Sequence, residues 1–275
     1  MTIAAGFVCR DGILLCADSQ YSGWDKSYRD KVFLHPLDPA AVAFTFSGDE
    51  DYAKTAMEDA LESLQSLPSE KQTTKEIRKR IRDAVRPVLI DYTERKLEPS
   101  QKPEFLIAIG TPETEQLFSS RDTAFPRVEE FDCRGTGNYL ANYVLGAARF
   151  SKAVSVEDAF PIVVRALAAA KRHDDACGGG SQFIVVRRAW ATSILNYDLD
   201  ASDETIGAFE RWSALLFSAL GDSKIPDADF ERRLARFNEG ILRLRKLLIA
   251  PGSYYRAVAD SLRKANPSKS EIDQT

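Results

Sequence analysis

Along residues 1–198, strand-like and helix-like runs come in blocks rather than in alternation. That order restricts the fold more than any other feature of the chain. Four short apolar runs come first: "TIAAGFV", "GILLCAD", "DKVFLHP" and "AAVAFTFSG". Two amphipathic stretches follow, "DEDYAKTAMEDALESLQ" and "TTKEIRKRIRDAVRPVLIDYTERKL". Strands return at "EFLIAIG", "EQLFSS" and "RVEEFDCRG", then helices at "GNYLANYVLGAARF" and "SVEDAFPIVVRALAAAKR". "SQFIVVRRAWATSILNYD" closes the series with two more strands. A doubly wound parallel sheet would alternate strand and helix one by one. This block order predicts an α+β fold, with antiparallel strands in two packed sheets and paired helices outside them.

Local signals agree. Asp11-Gly12 separates the first two runs, and both residue types tolerate positive φ, which marks a hairpin. The first run is apolar without clean alternation, as expected where both faces of a sheet are covered. In the first helix Tyr52, Ala56, Met57, Ala60, Leu61 and Leu64 share a face; in the second, Ile77, Ile81, Ala84, Val88 and Tyr92 do. Thr73 with Glu76, and Ser155 with Asp158, read as capping boxes. Val156, Ala159, Phe160, Val163, Leu167 and Ala170 form the buried face of the fourth helix. Pro87 and Pro161 fall inside helical patterns and predict kinks.

Beyond about residue 198 the character changes. "DETIGAFERWSALLFSALG" and "DADFERRLARFNEGILRLRKLLIAPG" read as long amphipathic helices, with one more at "SYYRAVADSLRKA". Phe230, Leu234, Phe237, Ile241, Leu244 and Leu248 alternate by four and three, which is a heptad seam. The organisation predicted is a domain at 1–198, a helical C-terminal extension at 199–265 and a disordered polar tail at 266–275. The extension either covers its own subunit or makes a contact between subunits.

Composition excludes several classes. The 275 residues carry a net charge of −4, so no global basic field draws the chain to nucleic acid. No apolar run approaches the length of a membrane span, and the start lacks the pattern of a secretory signal. Cys9, Cys16, Cys133 and Cys177 have no CxxC spacing and read as reduced thiols of a cytoplasmic protein. His35 and His173 are the only histidines, too few for a histidine-built metal site. No metal and no cofactor is expected. A hydrolase with this sequence would need a base other than imidazole.

The opening "TIAAGFVCRDGILLCADSQ" resembles the start of mature proteasome β-type subunits and bacterial proteasome-like peptidases. It has a threonine, a strand, a "(K/R)DG" hairpin, a second strand and then "AD". "DKVFLHP" is similar to the family's lysine-containing strand, and "FTFSGDEDYAKTAMEDAL" to its glycine turn into the first helix. "CRGTGNYLANYVLG" is similar to the "GSG" turn before the third helix, and "SVEDAFPIVVRALAAAKRHDDACGGGSQFIVV" to its last helix and following strand. The match covers roughly residues 2–190. The resemblance implies the four-layer αββα sandwich of N-terminal nucleophile (Ntn) hydrolases. It also implies threonine-type peptidase activity in the cytoplasm.

In such enzymes the threonine hydroxyl is the nucleophile and its own α-amine the base. That explains the scarcity of histidine. Methionine is removed readily before a small side chain, so Thr2 would be exposed without a propeptide. The resemblance places the nucleophile at Thr2, the lysine at Lys31 and the carboxylate that orients it at Asp18. It puts an oxyanion donor at the Gly48 backbone, a hydroxyl at Thr136 in place of the first serine of the family, and the aspartate near the amine at Asp175. Two positions depart from the pattern. Gly178 stands where the family has a second serine, and Gln20 where arginine is common. If the missing hydroxyl limits catalysis, Gly178→Ser is expected to raise turnover at neutral pH; no gain would mean that another group, such as Ser181 or a water, already serves the amine.

Peptides or unfolded proteins are the substrates implied, with ring-like homo-oligomers and an ATP-dependent unfoldase as partners. Tyr21, Trp24 and Tyr28 are candidates to line the substrate pocket or to pack between subunits. Two other readings use the same residues. One is a non-catalytic scaffold of this fold that binds a partner through its C-terminal helices. The other is an Ntn amidohydrolase acting on a small amide.

Overall fold

A computed structural model describes residues 2–22, 26–95, 97–98, 101–188, 190–194 and 199–265. Met1, Trp24 and the tail at 266–275 lie outside the described residues, as does the side chain of Leu248. The chain divides into two compact units, Met1–Asn196 and Tyr197–Thr275.

The first unit is a mixed α+β fold with antiparallel sheets. Strands β1 (Ala4–Cys9) and β2 (Gly12–Asp18) form the hairpin expected around Asp11-Gly12. Asp11 itself is not among the residues with positive φ. Its carboxylate is instead tied down, accepting from the Val156 N–H at 2.8 Å and from Arg187. A five-stranded sheet builds outward from this hairpin in the order β11-β10-β2-β1-β9, with β9 at Phe131–Arg134, β10 at Ser181–Arg187 and β11 at Trp190–Ile194. A four-stranded sheet runs β5-β6-β7-β8: Val32–Pro36, Ala41–Ser47, Glu104–Gly110 and Glu115–Ser119. A short ribbon, β3 (Gln20–Ser22) with β4 (Lys26–Tyr28), was not legible as strand in the sequence.

Both faces of the central strands are covered, which is why β2 and β6 are buried at every position. Helices α1 (Glu50–Gln65) and α2 (Thr74–Glu94) pack Ala53, Ala56, Ala60, Ile77, Ile81 and Leu89 against Phe44, Phe46, Phe105 and Ile107 of the four-stranded sheet. Alternate residues of that sheet, Ala43, Leu106, Ala108 and Leu117, meet Ala4, Ile13, Leu15, Ile184 and Val186 of the other. Helices α3 (Asn138–Ala147) and α4 (Val156–His173) pack on each other, and the Phe160 ring lies 4.9 Å from that of Phe183 in β10. Each fully buried Phe or Leu in these contacts is worth about 1.5–3 kcal/mol.

The caps form as the sequence predicts. The Glu76 N–H donates to Thr73 Oγ1 at 3.3 Å, and the Asp158 N–H donates to Ser155 Oγ at 3.1 Å. The expected face of α4 is buried throughout. On α2 the fully buried line runs through Val85 and Leu89, with Ala84 and Val88 only partly covered. Neither Pro87 nor Pro161 ends its helix.

The second unit contains α5 (Leu199–Leu220) and α6 (Asp227–Ala265). Two helices were expected after residue 227; one continuous helix runs instead, through positions 251 and 252. The Phe209 and Phe237 rings stack at 5.4 Å, and the Trp212 ring fills the space where Gly240 lacks a side chain. The seam is only half closed. Phe230, Phe237 and Leu244 are partly buried, while Leu234 and Ile241 are exposed.

Candidate active site

The hairpin register creates the site. Ala4 lies opposite Ala17, so Asp18 falls beside the Thr2-Ile3 peptide at the open end of the ladder. Two hydrogen bonds hold it there: the Asp18 N–H donates to Ile3 O, and the Ile3 N–H donates to Asp18 Oδ1, each at 3.2 Å. On the other side β10 pairs Ser181 with Asp18. Lys31 comes from the opposite sheet, one residue before β5. Its N–H donates to Gln182 Oε1 at 2.7 Å, which fastens the start of that strand to β10.

Thr2, Asp18 and Lys31 converge in the interior, with 3 %, 0 % and 1 % of their surfaces exposed. The Lys31 ammonium donates to Asp18 Oδ1 at 2.8 Å, to the Gln20 carbonyl oxygen and to Thr2 Oγ1. Three acceptors use its three N–H groups. The Thr2 hydroxyl, already an acceptor, donates to Asp18 Oδ1. The second carboxylate oxygen accepts from the Gly178 N–H at 2.8 Å. Burial pulls the Lys31 pKa below its ordinary 10.5, while the Asp18 charge works in the opposite direction. The Tyr21 ring lies under the ammonium, 4.6 Å from nitrogen to centroid.

The 135–137 turn lies against the backbone of Thr2 and the side chain of Ile3. A side chain at Gly135, where φ is +89°, would stand 2.0 Å from the Thr2 carbonyl oxygen and 3.2 Å from Ser47. Gly48 follows Ser47 with φ at +97°, and its missing side chain leaves room for the carbonyls of Gln101 and Lys102. Thr136 Oγ1 is buried and makes no hydrogen bond among the described residues. The Thr136 hydroxyl nonetheless lies near enough to Cys177 to favour its thiolate. Burial, then the charges of Asp18 and Asp174, prevail and push the Cys177 thiol up to about 12.

The structure thus brings Thr2, Asp18 and Lys31 into mutual contact and sets the turn carrying Thr136 against Thr2, while the turn carrying Gly48 approaches that turn through Ser47. Asp175 is different. Its side chain is exposed, and what reaches inward is its backbone carbonyl, which accepts from Gln20 Nε2 at 2.9 Å. The oxygen of Ser181 is engaged by Lys171 Nζ at 2.8 Å. Sequence reasoning passed over Gln182, the strap between the two sheets, and treated Gln20 only as a departure. Among the described residues no group of three or more His, Cys, Asp or Glu side chains could hold a metal ion, and no helix is long and apolar enough to cross a membrane.

No family model matches the chain. No curated protein matches it either. Solved structures do. Anbu from Hyphomicrobium sp. strain MC1, as its Gly-1 mutant, superposes with a TM-score of 0.65 at 16 % identity, covering 82 % of this chain and 98 % of that one. The helical assembly of the Anbu complex from Pseudomonas aeruginosa gives 0.62 at 13 % identity, over 82 % and 97 % of the two chains. Anbu, an ancestral beta-subunit, from Yersinia bercovieri gives 0.62 at 11 % identity, again over 82 % and 97 %. The expected kinship with proteasome β-type subunits and bacterial proteasome-like peptidases is corrected by these matches. The likeness found is to Anbu proteins, and identities this low carry the fold and nothing finer. The chain has the proteasome-related fold of the Anbu structures.

Proposed function

We propose that the chain is an N-terminal nucleophile hydrolase that cleaves amide bonds, with peptides as substrates and Thr2 as nucleophile once Met1 has been removed. The observation that carries this reading is the Thr2 hydroxyl, buried between the Lys31 ammonium and the Asp18 carboxylate. The helix pairs on the outer faces of two facing sheets support the four-layer αββα arrangement of such enzymes.

The chemistry follows from the placement. A free α-amine titrates at about 7.7–8.0, so near neutral pH it can accept the hydroxyl proton. Thr2 Oγ1 attacks the amide carbon as that proton moves to the amine, and the carbonyl becomes an oxyanion. Lys31 stabilises the negative charge that develops on Oγ1. Backbone N–H donation at Gly48 is assigned to the oxyanion. The intermediate collapses by expelling the leaving amine, which takes the proton back from the α-amine, and an ester on Thr2 remains. Water hydrolyses that ester by the same proton route, releasing the acid and restoring Thr2. The Thr136 hydroxyl, buried beside Cys177, is assigned to hold the α-amine.

Residues 1–198 form the hydrolase domain in this reading and 199–265 a helical extension. The extension bears exposed Leu215, Phe217, Leu220 and Leu242, which fits self-association. Intact mass of the purified protein and labelling by a threonine-directed epoxyketone test the function. Loss of one methionine and a single adduct on Thr2, absent in Thr2→Ala, are expected. A retained Met1, or labelling unchanged in Thr2→Ala, would sink it.

A further inference from the structure

Gln20 enters the site by its backbone and again by its side chain. Its carbonyl oxygen accepts from Lys31 Nζ, and its N–H donates to Gly178 O at 3.0 Å. Its side chain then folds over the turn after α4. Nε2 donates to the Asp175 carbonyl at 2.9 Å, and Oε1 comes to rest 2.3 Å from where a Cβ on Gly178 would stand. Gln20 is 3 % exposed, so this arrangement is packed rather than dangling in solvent.

The backbone at Gly178 lies outside the left-handed region, unlike that at Gly179, where φ is +70°. Conformation therefore does not demand glycine at 178; what a side chain there would meet is the Gln20 carboxamide. Gly178 is also the residue whose N–H holds Asp18 Oδ2 at 2.8 Å. One residue thus links the lysine, through its backbone carbonyl, to the turn that steadies the carboxylate, through its side chain.

We propose that Gln20 is a positioning residue for the Thr2–Asp18–Lys31 centre, and that Gly178 lacks a side chain in order to admit its carboxamide. The proposal deepens the hydrolase reading and rests on it. The carboxamide oxygen stands over the position from which the expected serine hydroxyl would project, so an acceptor is delivered there from the neighbouring strand. The expectation that Gly178→Ser raises turnover leaves Gln20 out of account. With the carboxamide in place, the added Cβ must displace it, and the hold on the 175–178 turn goes with it.

A double-mutant cycle on the full chain tests this, using wild type, Gln20→Ala, Gly178→Ser and the double variant. Two quantities are read: the rate of epoxyketone labelling at Thr2 as a function of pH, and the melting temperature. Gly178→Ser should slow labelling about tenfold beside Gln20, and by no more than about threefold in the Gln20→Ala background. The melting-temperature loss from Gly178→Ser should shrink in the same way. Gln20→Ala alone should slow labelling and move the alkaline limb of the pH profile, because the 175–178 turn loses its side-chain tie and its Gly178 N–H then holds Asp18, the counter-ion of Lys31, less firmly; a merely structural role would leave that limb in place. Independent effects of the two substitutions on rate and on melting temperature, or an unmoved limb, would overturn the proposal. A wild-type protein that does not label at all would instead remove the hydrolase reading and the catalytic part of the proposal with it. The melting-temperature cycle would then decide the Gln20–Gly178 interlock alone.

Discussion

The Lys31 ammonium donates to Thr2 Oγ1 in a site where Lys31 is 1 % exposed. A cation this deep is held against its desolvation cost by Asp18, and burial still pulls its pKa below 10.5. Two opposite pH slopes follow. In the proposed mechanism activity needs the ammonium, so the labelling rate should fall as pH rises through the depressed value, below the 10.5 of a free lysine. Between that value and 10.5 the unfolded chain binds the extra proton, so the contribution of Lys31 to stability increases with pH. The difference in melting temperature between wild type and Lys31→Met, followed across the alkaline range, isolates this residue from the buried thiols that titrate nearby. A difference independent of pH would mean that Lys31 titrates as it does in water. At neutral pH, Lys31→Met should lower the labelling rate by at least about a thousandfold.

Asp18 accepts from the Thr2 hydroxyl, the Ile3 N–H, the Lys31 ammonium and the Gly178 N–H. Asp18→Asn keeps the shape and removes the counter-charge. An uncompensated buried cation is left behind, costing about 3–5 kcal/mol. The melting temperature should fall by roughly 10 °C. Adding Lys31→Met to Asp18→Asn should cost less than the sum of the two, because the orphaned charge goes with it. Additive losses would show that the pair does not interact.

Much of this was legible in the sequence, and the reasons differ by element. The Asp11-Gly12 hairpin and the capping residues Thr73 and Ser155 act over a few positions, so local reading finds them. Thr2, Asp18 and Lys31 were named through a family resemblance, and β1–β2 pairing then brings two of them side by side. Gln20 and Gly178 meet across 158 positions of chain. Neither residue type announces a site, and only the packing of one amide over one α-carbon does. Asp175 shows the converse. Its carboxylate looked like the useful group, but the turn directs its carbonyl inward. The extent of α6 was misread because Pro251 and Gly252 look like a helix stop, and position 251 continues the helix nonetheless.

Two glycines, one against Thr2 and one on the open face of α3, offer a paired test. Gly135→Ala puts a methyl group 2.0 Å from the Thr2 carbonyl oxygen, in a backbone conformation with φ at +89°. The clash is with the backbone of Thr2, and Ser47 Cβ closes the other side at 3.2 Å, so relief requires moving Thr2. A loss of about 1–3 kcal/mol from backbone strain alone is expected, together with loss of labelling. Gly146→Ala, in α3, meets nothing within 4 Å and should stabilise by about 0.5–1 kcal/mol with labelling unchanged. Equal effects at the two positions would mean that the 135–137 turn does not clasp Thr2.

Phe217 is 78 % exposed, Leu220 66 %, Leu215 60 % and Leu242 61 %. Apolar surface gathered on one helical pair in this way marks contact sites more often than free solvent surface. The Phe209–Phe237 stack and the Trp212–Gly240 contact already close α5 on α6, so the exposed residues are not needed within the pair. If copies of the chain associate through them, Phe217→Glu combined with Leu220→Glu should lower the mass seen by light scattering. The melting temperature of the first unit should stay within about 2 °C, since surface changes away from packed contacts cost little. A chain ending at residue 198 should show the same loss of mass. An unchanged oligomer in both would assign the association to the first unit, and a monomeric wild type would leave α5 and α6 without a role in self-assembly.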